Sequence, residues 1–150
     1  FGRAVATQQQ LYYAWFALRL HQVNNPSSMS ISDFEANMIA SYSPFEYVDY
    51  THMYASFGHL NGYGPLYYTY QWSLAIAQDM FSSEFCPSKM YDSNVAQSYA
   101  ENILAPGGTK NADTLVTNFL GRSWTADAYQ SYLRGGSSSC ARHFTLGAHV

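Results

Sequence analysis

Residues 57–81 constrain the fold more than any other stretch of the sequence. Residues 58–65 contain three glycines and a proline, and glycine is costly to fix in regular structure, so we expect a flexible loop there. Residues 66–81 contain no glycine or proline, and apolar side chains recur along them. This pattern predicts a largely buried helix from about Pro65 to Phe81, ending near Phe85, as the longest helix of the chain.

Helical patterns account for most of the remaining sequence. Ser32 and Glu35 have the spacing of a capping box, which predicts the start of a helix that continues to about Tyr42. Residues 43–56 show no clear period and are interpreted as a loop with at most a short turn. Further helices are predicted for residues 7–21, 92–104 (capped by Asp92 or Ser93), 111–120 (with Leu115, Val116, Phe119 and Leu120 inward and Gly121 at its end) and 125–133 (capped by Thr125). No strand pattern is convincing, so the predicted fold is all-α, with a helical domain over residues 1–134 and a flexible Ser/Gly-rich tail over 135–150.

Charge and composition argue against two classes of partner. The formal net charge is -3 and there is no basic run, so we expect no nucleic-acid partner. No apolar run reaches the roughly 20 residues that a membrane-spanning helix requires, so we expect no membrane span. The two cysteines, Cys86 and Cys140, are compatible with either a disulfide or two free thiols, and they do not identify a cellular compartment.

Two sequence blocks resemble one family. The first reads G-H-L-N-G-Y-G-P-L-Y-Y-T-Y-Q-W-S from Gly58 to Ser73, and the second reads I-L-A-P-G-G at residues 103–108, followed by F-L-G-R at 119–122. In this order and spacing they resemble the C-terminal part of the thimet oligopeptidase/neurolysin group of zinc metallopeptidases, which includes oligopeptidase A and dipeptidyl carboxypeptidase. The resemblance covers about residues 1–133, although the double glycine of the family motif is one residue shorter here. It implies the C-terminal helical portion of a zincin-like oligopeptidase.

The zinc ligands of such an enzyme are not found in this sequence. A peptidase of this group requires H-E-x-x-H on a helix, where two histidines bind zinc and the glutamate acts as a base. None of the five histidines lies in this pattern. Zinc is therefore the cofactor that the resemblance implies, but no metal ligand is assigned here. We expect the purified chain to carry no stoichiometric zinc, and we expect the zinc-binding helix to lie in another segment or chain.

The resemblance also implies a set of site residues. Tyrosine hydroxyls and histidine N–H groups are suitable donors to the negative charge that develops on a peptide carbonyl oxygen during hydrolysis. By position in the motif, Tyr70 and Tyr67 are the catalytic candidates, with either one closest to the oxyanion. The substrate-binding candidates are His59, Gly62 and Tyr63. The competing interpretation is structural, because the chain has 14 tyrosines and an aromatic-rich helix places several of them in a core.

Three classes of function remain open. The first is the substrate-binding, oxyanion-side half of a zinc-dependent oligopeptidase that hydrolyses short peptides and is inactive as an isolated chain. The second is a catalytically dead relative that serves as a structural or assembly subunit, and the third is an unrelated aromatic-rich helical domain. For the first class, we expect an exposed tyrosine-rich face and a zinc-bearing partner segment or assembly. Asp79 is interpreted as a solvent-facing or ion-paired residue rather than an acid/base group.

Overall fold

A computed structural model describes residues 2–86 and 88–135. This part of the chain contains helices and no strand, which confirms the predicted all-α fold. The chain divides into two compact units, Phe1–Trp72 (the first unit) and Ser73–Val150 (the second unit). The predicted tail falls almost entirely outside the described residues, as does Cys140, so the domain boundary at residue 134 stays a prediction. Cys86 lies within the described residues and is not a free thiol.

The helices vary widely in length. In chain order they are α1 (Arg3–Leu20), α2 (Ile31–Tyr42), α3 (Met53–Ser56), α4 (His59–Gly62), α5 (Thr69–Met80), α6 (Ser93–Tyr99), α7 (Ala112–Leu120) and α8 (Asp127–Leu133). Short 3-10 turns cover Pro26–Ser28, Gly64–Tyr68 and Gly107–Thr109, and π-helical segments follow α5 (Phe81–Phe85) and α6 (Ala100–Leu104). Within the described residues, no helix is both long enough and apolar enough to cross a bilayer.

The core of the first unit forms around α1. Phe16 is fully buried, and it packs with Tyr12 and with Met38 of α2. A second face of α1 carries the small residues Ala14 and Ala17, which pack against Tyr67 in the 3-10 turn Gly64–Tyr68. Small side chains on this face let the turn approach α1 closely, and this contact holds the segment that follows the glycine-rich stretch.

The central helix lies where the sequence predicted it, but three of its expected properties are wrong. It is divided into the 3-10 turn Gly64–Tyr68, α5 and the π-helical segment Phe81–Phe85, so that α1, with 18 residues, is the longer α-helix. It is not largely buried: within α5 only Ala75 and Asp79 are buried, and Trp72 is 55% exposed. The apolar side chains of this helix do not lie along a single stripe, and a helix that packs on one side buries only one stripe. Several of its apolar residues therefore stay exposed.

The glycine-rich stretch is also more regular than predicted. Residues 59–62 form the single helical turn α4, which is closed by the Tyr63 N–H donating to the His59 carbonyl at 2.8 Å. The 3-10 turn begins directly afterwards, and Pro65 is its second residue. At the start of a helix, the missing N–H of proline costs no helical hydrogen bond. The prediction of an irregular loop over residues 58–65 is therefore wrong.

The start of α2 differs from the predicted capping box. Ser30, not Ser32, is the N-cap, and its hydroxyl accepts a hydrogen bond from the Asp33 N–H at 3.3 Å. Ser32 is instead hydrogen-bonded to the Tyr54 hydroxyl at 3.1 Å. The Glu35 side chain is fully buried and accepts a hydrogen bond from the Met53 N–H at 3.0 Å, so it cannot turn back to cap the helix. The predicted end at Tyr42 is confirmed.

The core of the second unit follows the sequence pattern closely. The four inward residues predicted for α7, namely Leu115, Val116, Phe119 and Leu120, are all buried. Asn111 caps the start of this helix through the Asp113 N–H at 2.9 Å, and Gly121 ends it with a φ of 68°. Asp92 caps α6, as one of the two alternatives predicted. Thr125 does not cap α8, which begins at Asp127 without a side-chain cap.

Asp79 is the buried charge of the second unit. Its carboxylate accepts two hydrogen bonds of 2.8 Å from the Arg122 guanidinium and one of 2.8 Å from the Thr125 N–H. The ion pair with Arg122 confirms one half of the prediction for Asp79, and its 4% exposure shows that the solvent-facing half is wrong. Hydrogen bonding to Arg122 is the main cause that lowers the pKa of Asp79.

Candidate functional site

Four of the predicted site residues form one aromatic cluster in the first unit. His59 begins α4, Tyr63 follows it, Tyr67 lies in the 3-10 turn and Tyr70 lies in the first turn of α5. The centroid of the His59 ring lies 5.6 Å from that of Tyr63, 5.0 Å from that of Tyr67 and 5.8 Å from that of Tyr70. The sequence of short helical turns thus places three tyrosine rings around one histidine within twelve residues of chain. We refer to these four residues as the His59 cluster.

Tyr70 presents an accessible hydroxyl in this cluster. It is 44% exposed, and its oxygen lies 3.3 Å from Nε2 of His59, where either group can be the donor, depending on the imidazole tautomer. Hydrogen bonding with Tyr63 is the main cause that raises the pKa of Tyr70, and burial is the second. A raised pKa keeps the phenol protonated at neutral pH, so Tyr70 retains a proton that it can donate.

Tyr67 is held quite differently from Tyr70. It is 7% exposed, and its hydroxyl donates to Oε1 of Gln10 on α1 at 3.0 Å. Burial is the main cause that raises its pKa. Its ring packs against Tyr13 and Phe57, with centroid distances of 5.8 and 5.1 Å. The hydroxyl of Tyr67 is therefore already used inside the first unit, whereas that of Tyr70 faces outward.

Gly62 is the fifth predicted site residue, and its backbone differs from that of Gly64, two residues later. Gly62 lies within α4 without a positive φ, and a Cβ added there would meet nothing within 4 Å. Gly64 has a φ of +53°, and a Cβ there would lie 3.6 Å from Nε2 of His21. The His21 ring is itself fixed, since its Nδ1–H donates to the Ala17 carbonyl at 2.7 Å. The glycine with a left-handed backbone in this segment is therefore Gly64, not Gly62.

Sequence reasoning missed two residues that support the cluster. Gln10 binds the Tyr67 hydroxyl from a position 57 residues earlier, and His21 packs beside Gly64. Neither residue belongs to a motif, and a glutamine or histidine on an amphipathic helix carries no local signal of such a role. Phe57, which directly precedes the motif, lies 5.4 Å from the ring centroid of His59 and could have been inferred from its position.

The described residues contain no metal centre. In residues 2–86 and 88–135, no three His, Cys, Asp or Glu side chains lie close enough together to hold an ion. His59, the histidine of the cluster, is surrounded by tyrosines rather than by further metal ligands. The donor set of this site therefore fits hydrogen bonding and ring stacking, and it does not fit zinc.

An all-α chain with a histidine–tyrosine cluster on a glycine-rich turn is the kind of protein that its two motifs predicted. Residues 1–135 match the sequence model of "Peptidase family M3". This match covers most of the chain, so the chain belongs to peptidase family M3, a family of metallopeptidases, and the predicted resemblance is confirmed.

Individual relatives give the same result. The chain is 29% identical to saccharolysin of Saccharomyces cerevisiae over 134 residues, which cover 84% of this chain and 18% of the relative. It is 26% identical to the mitochondrial intermediate peptidase of Arabidopsis thaliana over 119 residues, covering 79% and 17%. It is 35% identical to oligopeptidase A of Escherichia coli over 75 residues, covering 49% and 11%. The chain thus spans less than a fifth of the length of these relatives.

Proposed function

We propose that this chain is the substrate-binding, oxyanion-side part of a zinc-dependent oligopeptidase that hydrolyses short peptides. The observation that carries the proposal is the exposed Tyr70 hydroxyl beside His59, in a chain of peptidase family M3. The names of the relatives, which are peptidases and an oligopeptidase, support peptides as the substrate class.

In this proposal, Tyr70 is the catalytic donor. Its hydroxyl is hydrogen-bonded to His59 in the free chain and would transfer that hydrogen bond to the carbonyl oxygen as negative charge develops on it. A donor already fixed by ring contacts on two sides, Tyr63 and Tyr67, needs little reorganisation at the moment of reaction. Preorganised donors of this kind are worth on the order of 3–4 kcal/mol each.

The other predicted residues receive supporting roles. His59 and Tyr63 would contact the bound peptide, because Tyr63 is 49% exposed and His59 is partly exposed. Tyr67 was a catalytic candidate equal to Tyr70, and we now propose that it orients the rings of His59 and Tyr70 through its own buried packing. Gly62 keeps α4 short and free of side-chain bulk beside the peptide.

Zinc would be held by residues that the described part of this chain does not contain, in a further segment or a partner chain. When bound, a zinc ion of this kind lowers the pKa of a coordinated water and polarises a carbonyl group. The residues described here would bind the peptide, hold its carbonyl oxygen and donate one hydrogen bond. On this basis the isolated chain is inactive and works in an assembly with the zinc-bearing part.

The alternative is a catalytically dead relative that serves as a structural or assembly subunit. The exposed large apolar residues Leu66, Tyr68 and Trp72 would be compatible with such a role, since large apolar patches mark contact surfaces. Mass spectrometry of the native material distinguishes the two. An H-E-x-x-H sequence in the same polypeptide or in a co-purifying chain supports the peptidase, and its absence from both supports the dead subunit.

The test of the site uses that zinc-bearing protein. Tyr70→Phe removes one hydroxyl and retains the ring, so the turnover number should fall about 10²–10³-fold with a much smaller change in KM. Tyr68→Phe is the matched control, because Tyr68 is exposed to a similar degree two residues earlier. Turnover per folded molecule that is unchanged in Tyr70→Phe would contradict the oxyanion role.

A further inference from the structure

A second concave site lies in the first unit, apart from the His59 cluster. It is an open cavity of about 490 Å³ between the first turns of α2 and the loop that precedes α3. Its wall is formed by Ser32, Asp33, Tyr47, Asp49, Tyr50 and His52. None of these residues belongs to the His59 cluster, and the volume lies within the range of small-ligand pockets.

Negative charge without a partner is the first property of this cavity. Asp33 and Asp49 both line it, both residues are exposed, and neither carboxylate makes an ion pair or hydrogen bond within the part of the chain that the structure describes. Burial, and then the negative charges of Glu35 and Asp49, raise the pKa of Tyr47, which lines the same cavity.

Two aromatic rings, those of Tyr47 and Tyr50, are the second property of this cavity. Tyr47 donates its hydroxyl to the Thr51 carbonyl at 3.3 Å, and the Thr51 hydroxyl donates to the Val48 carbonyl at 2.6 Å, so the turn that carries the cavity wall is tied to itself twice. Tyr50 is 93% exposed at the rim, with a left-handed backbone φ of 64°. A ring so exposed makes little use of its apolar surface in the free chain and is available to a ligand.

We propose that this cavity binds a guanidinium group, such as the side chain of an arginine in a peptide. A guanidinium is planar and presents a fork of N–H donors that fits carboxylates, and it stacks on aromatic faces. Asp33 and Asp49 supply the carboxylates, and Tyr47 and Tyr50 supply the rings. The proposal does not depend on catalysis, so it stands or falls separately from the role of Tyr70.

Other ligand classes fit the same residues less well. An anion would be repelled by the two unpaired carboxylates, Asp33 and Asp49. For a metal ion, Nδ1 of His52 is already hydrogen-bonded to the Tyr54 hydroxyl at 3.1 Å, and no three potential ligands converge among the described residues. A lysine ammonium would satisfy the charges, but it is a compact, strongly hydrated cation that does not stack on two rings.

The test is a titration of the full chain with N-acetyl-arginine methylamide, followed by NMR shifts of the backbone amides. The cavity residues should shift in a saturable way, and the shifts should be absent with the citrulline analogue, which has the same shape without the charge. The lysine analogue should bind more weakly than the arginine analogue. Equal binding of arginine and citrulline, a stronger lysine analogue, or shifts that map away from Asp33 and Asp49 would overturn the proposal, as would no saturable shift at all.

Variants provide the second arm of this test. Asp33→Asn with Asp49→Asn should weaken Kd for the arginine analogue about tenfold or more, because hydrogen bonds to a charged group are lost. Glu101→Gln is the control, since it removes the same kind of charge from an exposed position in the second unit. The chemical shifts of the backbone amides elsewhere in the chain, compared with those of the parent chain, report whether the double variant is folded. A folded double variant that binds as tightly as the parent chain would refute the site.

Discussion

Breaking the ion pair of the second unit should cost more from one side than from the other. Arg122→Met leaves the Asp79 carboxylate with only the Thr125 N–H and the Ser83 hydroxyl as hydrogen-bond donors. The side chain of Asp79 is 5% exposed, so water cannot replace the lost guanidinium, whereas the side chain of Arg122 is 42% exposed. Asp79→Asn instead leaves a cation that water can reach.

The magnitudes follow from this difference in exposure. Removing one partner of a fully buried pair costs roughly 3–5 kcal/mol, and the half-exposed guanidinium brings our expectation for Arg122→Met down to about 2–4 kcal/mol. For Asp79→Asn we expect a smaller loss of about 1–2 kcal/mol, the cost of hydrogen bonds to a charged group that remains solvated. The double variant Asp79→Leu/Arg122→Met strands neither charge and should be more stable than Arg122→Met alone.

Urea unfolding and hydrogen exchange of the α7 amides measure these costs, the second within the second unit itself. We expect the parent chain to be the most stable, Asp79→Asn to be less stable and Arg122→Met to be the least stable. The double variant should be more stable than Arg122→Met. Equal losses for the two single variants would refute the argument from exposure. A double variant that is no more stable than Arg122→Met alone would refute the argument from the stranded charge.

Three further predictions concern stability. The folded-state pKa of Asp79 is lowered, so the stabilisation from its carboxylate should be present above the unfolded pKa of about 3.9 and lost as pH falls through the folded value. The difference in Tm between the parent chain and Asp79→Asn should therefore shrink below about pH 4. A constant difference down to pH 2 would contradict this. Tyr12 has a buried hydroxyl without a hydrogen-bond partner, and burial, followed by the charge of Glu35, raises its pKa. Tyr12→Phe should therefore leave Tm unchanged or raise it. A loss of more than about 1 kcal/mol in the free energy of unfolding would show that the hydroxyl has a partner. Gly64→Ala should lower the free energy of unfolding by about 1–2 kcal/mol, because Gly64 has a left-handed backbone. Gly62 lies inside a helical turn with free space around it, so Gly62→Ala should be neutral or stabilising by up to about 1 kcal/mol. Urea unfolding of both variants checks the contrast.

The sequence predicted the fold best where local pattern and tertiary packing agree. All four inward residues of α7 and its Gly121 terminus were predicted correctly, because a strongly amphipathic helix buries the face that its period marks. The start of α2 was misread because Ser32 and Glu35 have the correct spacing for a capping box, but tertiary contacts outweigh it. Burying Glu35 against the Met53 N–H and pairing Ser32 with Tyr54 depend on residues 18 and 22 positions away, which no local pattern encodes.

The identity of the exposed tyrosine shows where motif reasoning reaches its limit. Tyr67 and Tyr70 are three residues apart, a spacing that places two side chains on the same face of a continuous α-helix, so the sequence could not choose between them. The helix is not continuous, because the 3-10 turn ends at Tyr68 and α5 begins at Thr69. Tyr67, in the tighter turn, packs on the small residues Ala14 and Ala17 of α1, and its hydroxyl is bound to Gln10. Tyr70, one turn later, keeps its ring against Tyr67 but its hydroxyl in solvent beside His59. The change of helix type thus falls between a buried tyrosine, whose hydroxyl donates to Gln10, and an exposed tyrosine, whose hydroxyl lies beside His59. The burial of Tyr67 depends on its contact with α1, which lies more than 40 residues earlier in the chain.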